Sequence, residues 1–354
     1  MDPSDEIYEG PVLPPVRQPK GVRYYLGTWS GRLIVANSLV MLVMIFMDRS
    51  LLLPSMEVLN TVGAKDPVAL AQGQWWRFAT PIFVHIGLIH FLFNTLGLFY
   101  IGYQLERVLG ARWFLAIYLL AGIAGNISSS VFTVAMSAGA SGALFGLLGA
   151  GYFLERTIGD HIESLTGHRP RQRVYSGMVF INVILGLLIP GIDNAAHIGG
   201  LAVGAGLTFM MVHVRPNQLH RVNKKKAWLV GTLLVVVAAM GVFLGTNKQY
   251  VSSRLEAAAE KAEESRDGLA QRYHYYTEVL RLTPRNAPVL LKRARILLMN
   301  GEDVAGLEDV RQAIAAMVPD ADVQRLISEL RLAGYFDTAK EVEILLAQNP
   351  VQDL

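Results

Sequence analysis

No cysteine occurs anywhere in the chain. Disulfides, thiolate nucleophiles and cysteine metal sites are therefore excluded. Charge is scarce as well. Asp, Glu, Lys and Arg make up 17% of the 354 residues, against 52% hydrophobic residues. Few soluble chains are so poor in charge. The scarcity is uneven, because seven apolar stretches fall at about 32–52, 87–104, 113–135, 141–157, 174–190, 197–213 and 227–245. Crossing a bilayer takes roughly 20 mostly apolar residues, so each stretch reads as a span. The first follows a polar tail and carries no small-residue cleavage signal, which predicts a retained span rather than a signal peptide. The net charge of +3 is modest, and no nucleic acid is expected as a partner.

Where the positive charges lie predicts the topology. The tail holds Arg17, Lys20 and Arg23, the connection after the second span Arg107 and Arg112, and the one after the fourth Arg156, Arg169, Arg171 and Arg173. The connection after the sixth holds Arg215, Arg221, Lys224, Lys225 and Lys226. The alternate connections "AMSAGA" and "PGIDNAA" contain no Lys or Arg, and the long first connection has only Arg49, Lys65 and Arg77. Lys and Arg concentrate on the cytoplasmic side. The N-terminus is thus predicted inside, and everything beyond Gly245 outside.

Residues 250–354 differ in kind, being charged and helix-forming. Helical spacing recurs at Tyr276, Val279 and Leu280 and at Leu290, Ala294 and Leu297. Pro284 and Asn300-Gly301 read as helix-ending signals. The pattern resembles tetratricopeptide-type hairpins over about two repeats, and a plain helical bundle fits equally well. Either form suggests binding of partners more than chemistry.

Polar residues inside spans are costly, and each is a functional candidate. Three clusters qualify. "HIGLIHFLFN" brings His85, His90 and Asn94, "GASG" brings Ser141, and "AHIGGLAVG" brings His197. They open spans 2, 4 and 6, which run in the same direction, so all three lie near the outer face. Three histidines raise the question of a metal. However, His85 and His90 are five residues apart, about 140° around a helix, and no carboxylate lies within these spans near them. No metal or other cofactor is expected. The other reading is a nucleophile and its base: Ser141 activated by the neutral imidazole of His197. No aspartate within spans 4 or 6 completes a triad, so the pair would be a dyad. His90, Asn94 and the Ser141 N–H would face an oxyanion. Gly139 and Gly142 would allow close backbone approach. Taken alone, Ser141 reads first as a small residue for helix packing, as do Gly142 with Gly146, and Ala196 with Gly200 and Gly204.

Together these motifs resemble the rhomboid family of intramembrane serine proteases. Two further elements add to the likeness: Trp76 and Arg77 in "WWRFATPIFVH", and Glu106, Arg107 and Gly110 in "LERVLGARWFL". The resemblance implies an all-α polytopic membrane protein with a six-helix core at 32–213. A cytoplasmic tail at 1–31 precedes it. A basic loop with a seventh transmembrane helix follows at 214–245, and a soluble α-helical domain at 250–354. Implied roles are Ser141 as nucleophile, His197 as general base, His90 and Asn94 on the oxyanion side, and His85 shaping the site. Phe145 stands where the family often has a Tyr against the catalytic His. Implied partners are transmembrane protein substrates in the lipid bilayer; the placement of residues 250–354 outside separately leads to an expectation that they meet substrate or adaptor proteins there. A cell-membrane location follows. A non-cleaving binder of membrane helices and a transporter are the other readings.

Overall fold

The apolar stretches become helices, and the computed structural model describes residues 22–50, 52–166, 174–214, 224–262 and 267–349. Arg17, Lys20, Arg169, Arg171, Arg173, Arg215 and Arg221, on which part of the topology reading rests, lie outside the described residues. Among the described residues the only β pairing is an isolated bridge between Lys65 and Ser137.

After the short α1 (Val22–Leu26), the Thr28 hydroxyl accepts the Gly31 N–H at 3.0 Å and starts α2 (Trp29–Asp48). The first connection carries α3 (Met56–Thr61) and α4 (Pro67–Ala71). Ser55 and Asp66 cap them, accepting the N–H groups of Val58 at 3.3 Å and Val68 at 2.9 Å. The second span is α5 (Leu88–Gly97), a π turn (Leu98–Gly102) and α6 (Tyr103–Leu109) in unbroken succession. It outruns the 87–104 read from hydropathy because Leu105 and Leu109 stay buried while Arg107 turns outward. Gly110, at φ 80°, ends it. Then come α7 (Ala111–Phe132), α8 (Ser141–Thr166), α9 (Val174–Leu188), α10 (Asn194–Val214) and α11 (Lys224–Thr246).

Among the described residues, Trp29–Asp48, Leu88–Leu109, Ala111–Phe132 and Lys225–Thr246 are long and apolar enough to cross a membrane. Leu42 and Phe46 of α2 and Val235 and Phe243 of α11 point away from the bundle, as side chains facing hydrocarbon do. The chain is an all-α, multi-pass membrane protein.

At its centre α7, α8 and α10 pack side by side. Ile117, Tyr118, Ala143 and Leu147 fill one buried cluster between them. Glycines bring the backbones of α8 and α10 together. A Cβ on Gly200 would lie 2.0 Å from the Gly142 carbonyl oxygen, and one on Gly204 1.9 Å from that of Gly146. In lipid, where apolar burial gives no drive to helix association, such close contact is a main source of attraction.

Beyond the bundle, α12 (Lys248–Lys261) pairs with α13 (Gly268–Leu282), α14 (Ala287–Met299) with α15 (Asp303–Ala315), and α16 (Asp320–Leu332) with α17 (Phe336–Gln348). Among the described residues three helix pairs stand where the sequence suggests about two. α13 stops before Pro284, and the Asn286 side chain caps α14 by accepting the Val289 N–H at 3.3 Å. Arg293 joins α14 to α15 through two bonds to Asp309, at 2.7 and 2.8 Å.

These hairpins share a core with the membrane bundle's first connection. Val68 and Ala71 of α4 are buried in the same apolar cluster as Val251, Leu255, Tyr276 and Val279. The Tyr250 hydroxyl donates to the Val131 carbonyl at 3.1 Å, and Arg254 Nη2 donates to that of Phe132 at 2.7 Å. A charge placed in this cluster has no partner and cannot be tolerated. Val68→Asp is therefore expected to open the contact, giving a new proteolytic cut near Asn247 in the folded protein. Val304→Asp, at a position 88% exposed, should leave the digestion pattern unchanged.

Candidate active site

Ser141 is the first residue of α8 and His197 lies in the first turn of α10. Both helices start at the same end of the bundle, and the glycine contacts hold them at backbone distance. The Ser141 Oγ and His197 Nε2 consequently stand 2.9 Å apart. His197 Nδ1 has no hydrogen-bond partner. If Nε2 accepts from the serine hydroxyl, Nδ1 carries the proton of the neutral ring. Phe145, one turn after Ser141, stacks on the imidazole with ring centroids 4.0 Å apart and planes 10° from parallel. The ring fixes the imidazole's plane by contact alone.

Ser141, His197, Phe145, His90, Asn94, Gly139 and Gly142 all line one cavity of about 900 Å³. As the first residue of a helix, Ser141 has a backbone N–H without an intrahelical partner; the first bond of α8 is Leu144 N–H to Ala140 O at 3.0 Å. The positive end of the helix dipole adds to this local field. His90 covers Gly139 from the side. Gly139 has φ 140°, and a Cβ there would fall 2.5 Å from His90 Cε1. Asn94 is buried, and its Nδ2 donates to the His90 carbonyl of its own helix at 2.9 Å, while Oδ1 has no partner. His85 is buried beside this group, edge-on to His90 with centroids 5.6 Å apart.

The other motif residues lie away from the cavity. Arg77 is buried, and its Nη1 donates to the Ala64 carbonyl at 2.7 Å, pinning the first connection. Trp76 is 58% exposed, a disposition that suits an interfacial anchor. Glu106 accepts the N–H groups of Trp29 at 2.8 Å and Ser30 at 2.9 Å, capping α2, while Arg107 lies over the Tyr103 ring.

Two neighbours of the site escape a reading by motif. Lys65 counts only as a loop charge and Asp193 as part of a Lys-free turn, while Ser129, between them, reads from the sequence as an interhelical hydrogen-bond partner. In the structure Lys65 Nζ donates to Ser129 Oγ at 2.8 Å and the Ser129 hydroxyl donates to Asp193, just ahead of His197. A buried lysine cannot be recognised from a single sequence, because its burial depends on segments far along the chain.

Fold and site together define a class: a helical membrane protein with a serine–imidazole pair at a cavity within the bundle. Comparison with known proteins narrows it. The model of the Rhomboid domain matches residues 72–214. The chain is 44% identical over 156 residues to the rhomboid protease GluP of Bacillus subtilis, covering 42% of this chain and 28% of GluP. It is 35% identical over 147 residues to the putative rhomboid protease YdcA of the same organism, covering 41% of this chain and 71% of YdcA. RHOMBOID-like protein 4 of Arabidopsis thaliana is 38% identical over 173 residues, with 48% of this chain and 42% of that protein covered. The chain belongs to the rhomboid family. Its match spans less than half the length of GluP and of the Arabidopsis protein.

Adding a side chain at position 139 both strains the left-handed backbone and collides with His90. Gly139→Ala is expected to lower unfolding stability in detergent by about 1–3 kcal/mol. A denaturation midpoint indistinguishable from the parent's would contradict the tight fit described.

Proposed function

We propose that the protein is an intramembrane serine endopeptidase that cuts transmembrane segments of membrane-protein substrates with a Ser141–His197 dyad. The observation that carries this reading is the 2.9 Å contact between Oγ and Nε2, beside a cavity in a bundle of apolar helices. A serine hydroxyl is a weak nucleophile until a base takes its proton. In this scheme His197 Nε2 accepts that proton as Oγ bonds to the scissile carbonyl carbon. The charge that develops on the carbonyl oxygen faces the Ser141 N–H and His90. Asn94 joins them when its amide releases the His90 carbonyl. Such donors count for most where water is excluded. Collapse of the intermediate expels the amine, which leaves with the proton from His197. Water, deprotonated by the same imidazole, then hydrolyses the acyl-enzyme.

A transmembrane helix hides its carbonyls in its own hydrogen bonds, so the substrate must unwind at the cut. The cavity supplies polar groups for the freed backbone. Loop charges favour a cytoplasmic N-terminus and an outward-facing cavity in a cell membrane. Residues 250–354 then lie on the outer side too. Their bonds to Val131 and Phe132, next to the cavity-lining Thr133, support that shared placement. From there the hairpins, whether or not true tetratricopeptide repeats, offer a surface for substrate or adaptor proteins.

Ser141→Ala and His197→Ala are each expected to abolish cleavage of a membrane-spanning reporter in proteoliposomes while the protein still inserts. His90→Ala should lower kcat by about 10²- to 10³-fold, the usual loss for one oxyanion donor. Undiminished cleavage by purified Ser141→Ala would end the assignment.

A further inference from the structure

The dyad scheme makes no use of Lys65, yet Lys65 has no exposed surface. A buried ammonium without compensation costs several kcal/mol, so its contacts call for an explanation. Its side chain reaches α7, donating to Ser129 Oγ at 2.8 Å. The Ser129 hydroxyl passes the contact on to Asp193 Oδ2. The other oxygen of that carboxylate accepts the Ala196 N–H at 3.0 Å, and the Asp193 main-chain oxygen accepts the His197 N–H at 3.1 Å. Asp193 is thus the N-cap of the helix that carries the imidazole. The Lys65 backbone holds the other half of the pair. Its N–H donates to the Ser137 carbonyl at 2.8 Å and its carbonyl accepts the Ser137 N–H at 3.0 Å. Two residues on, the Gly139 N–H donates to Pro81 O at 2.9 Å, which fixes the approach to Ser141.

We propose that Lys65 is a positioning residue for the dyad: its ammonium, relayed through the Ser129 hydroxyl to the Asp193 carboxylate, locks the start of the His197 helix to the segment leading into Ser141. The inference rests on the dyad reading. It deepens it, because a single residue then sets the relation between nucleophile and base. The soluble hairpins act on the same joint. Asp66, the next residue, caps α4, whose Val68 and Ala71 are buried against α12 and α13.

The charges around Lys65 give the joint a pH signature. Burial lowers its ammonium to about 8, Asp193 and Asp66 work against that fall, and Arg254 of α12 adds to it. A base with a lowered pKa is charged below that value, so the ionic hold on Asp193 is present at neutral pH and lost as pH rises through about 8.

The test is cleavage kinetics of the full chain in proteoliposomes. Lys65→Met keeps the stem and removes the charge. It should lower kcat about 10- to 100-fold, as misplacement of catalytic groups by about an ångström does, with KM changed less than about 2-fold. Ser129→Ala and Asp193→Asn should show the same split. The Lys65→Met/Asp193→Asn pair should be no worse than the poorer single variant, since residues of one network are non-additive. The parent rate should decline above about pH 8, and the residual rate of Lys65→Met should stay flat there. A kcat at parent level in Lys65→Met, or losses that multiply in the double variant, would overturn the proposal. Should Lys65→Met not accumulate, Ser129→Ala decides alone, and a parent-level kcat there overturns it equally. Failure of the dyad itself would look different, as cleavage that survives in Ser141→Ala.

Discussion

Everything at the site depends on how closely α8 and α10 approach. Neither helix brings a side chain to the contact where Gly142 meets Gly200 and Gly146 meets Gly204. A methyl group on Gly200 or Gly204 would lie 2.0 or 1.9 Å from the facing carbonyl oxygen and force the two backbones apart. The Ser141–His197 contact at 2.9 Å is therefore a consequence of main-chain packing. In a soluble hydrolase a third residue commonly orients the base. Here Nδ1 of His197 has no partner, and the ring is held by the stacked Phe145 and by the rigidity of its helix.

That dependence makes the helix ends important. Ser141 and His197 sit in first turns, where helices fray and N–H groups lack partners. Both starts are tied down. The segment before Ser141 is paired with Lys65 and Pro81, and the start of α10 is capped by Asp193. The first connection makes both ties, directly at Ser137 and through Ser129 at Asp193. Arg77 secures that connection in turn by its bond to Ala64. The outermost layer is the C-terminal hairpin array, whose apolar core takes in α4. Membrane core, connection and C-terminal helices form one continuous structure.

Much of this was legible in the sequence. Each of the seven apolar stretches is helical, the second as α5, a π turn and α6, since length and hydropathy in lipid leave little choice but a helix. The polar outliers His90, Asn94, Ser141 and His197 converge on one cavity, and parity of spans was enough to bring them together. Helix ends were less legible. The second span runs on to Leu109, because a helix continues wherever one face stays buried, even when charges raise its average polarity. Least legible were contacts between distant segments. Nothing in the string marks Val68 and Ala71 as core of the C-terminal helices, or Lys65 as joined through Ser129 to Asp193. Such pairings exist only once three connections are folded against one another.

The proposed activation of Ser141 by His197 is open to one decisive experiment, mass-spectrometric mapping of a fluorophosphonate adduct on the full chain in detergent. A single adduct on the Ser141 Oγ is expected, formed by the parent and lost in His197→Ala. An adduct on another residue, or equal labelling of Ser141 without the imidazole, would contradict it.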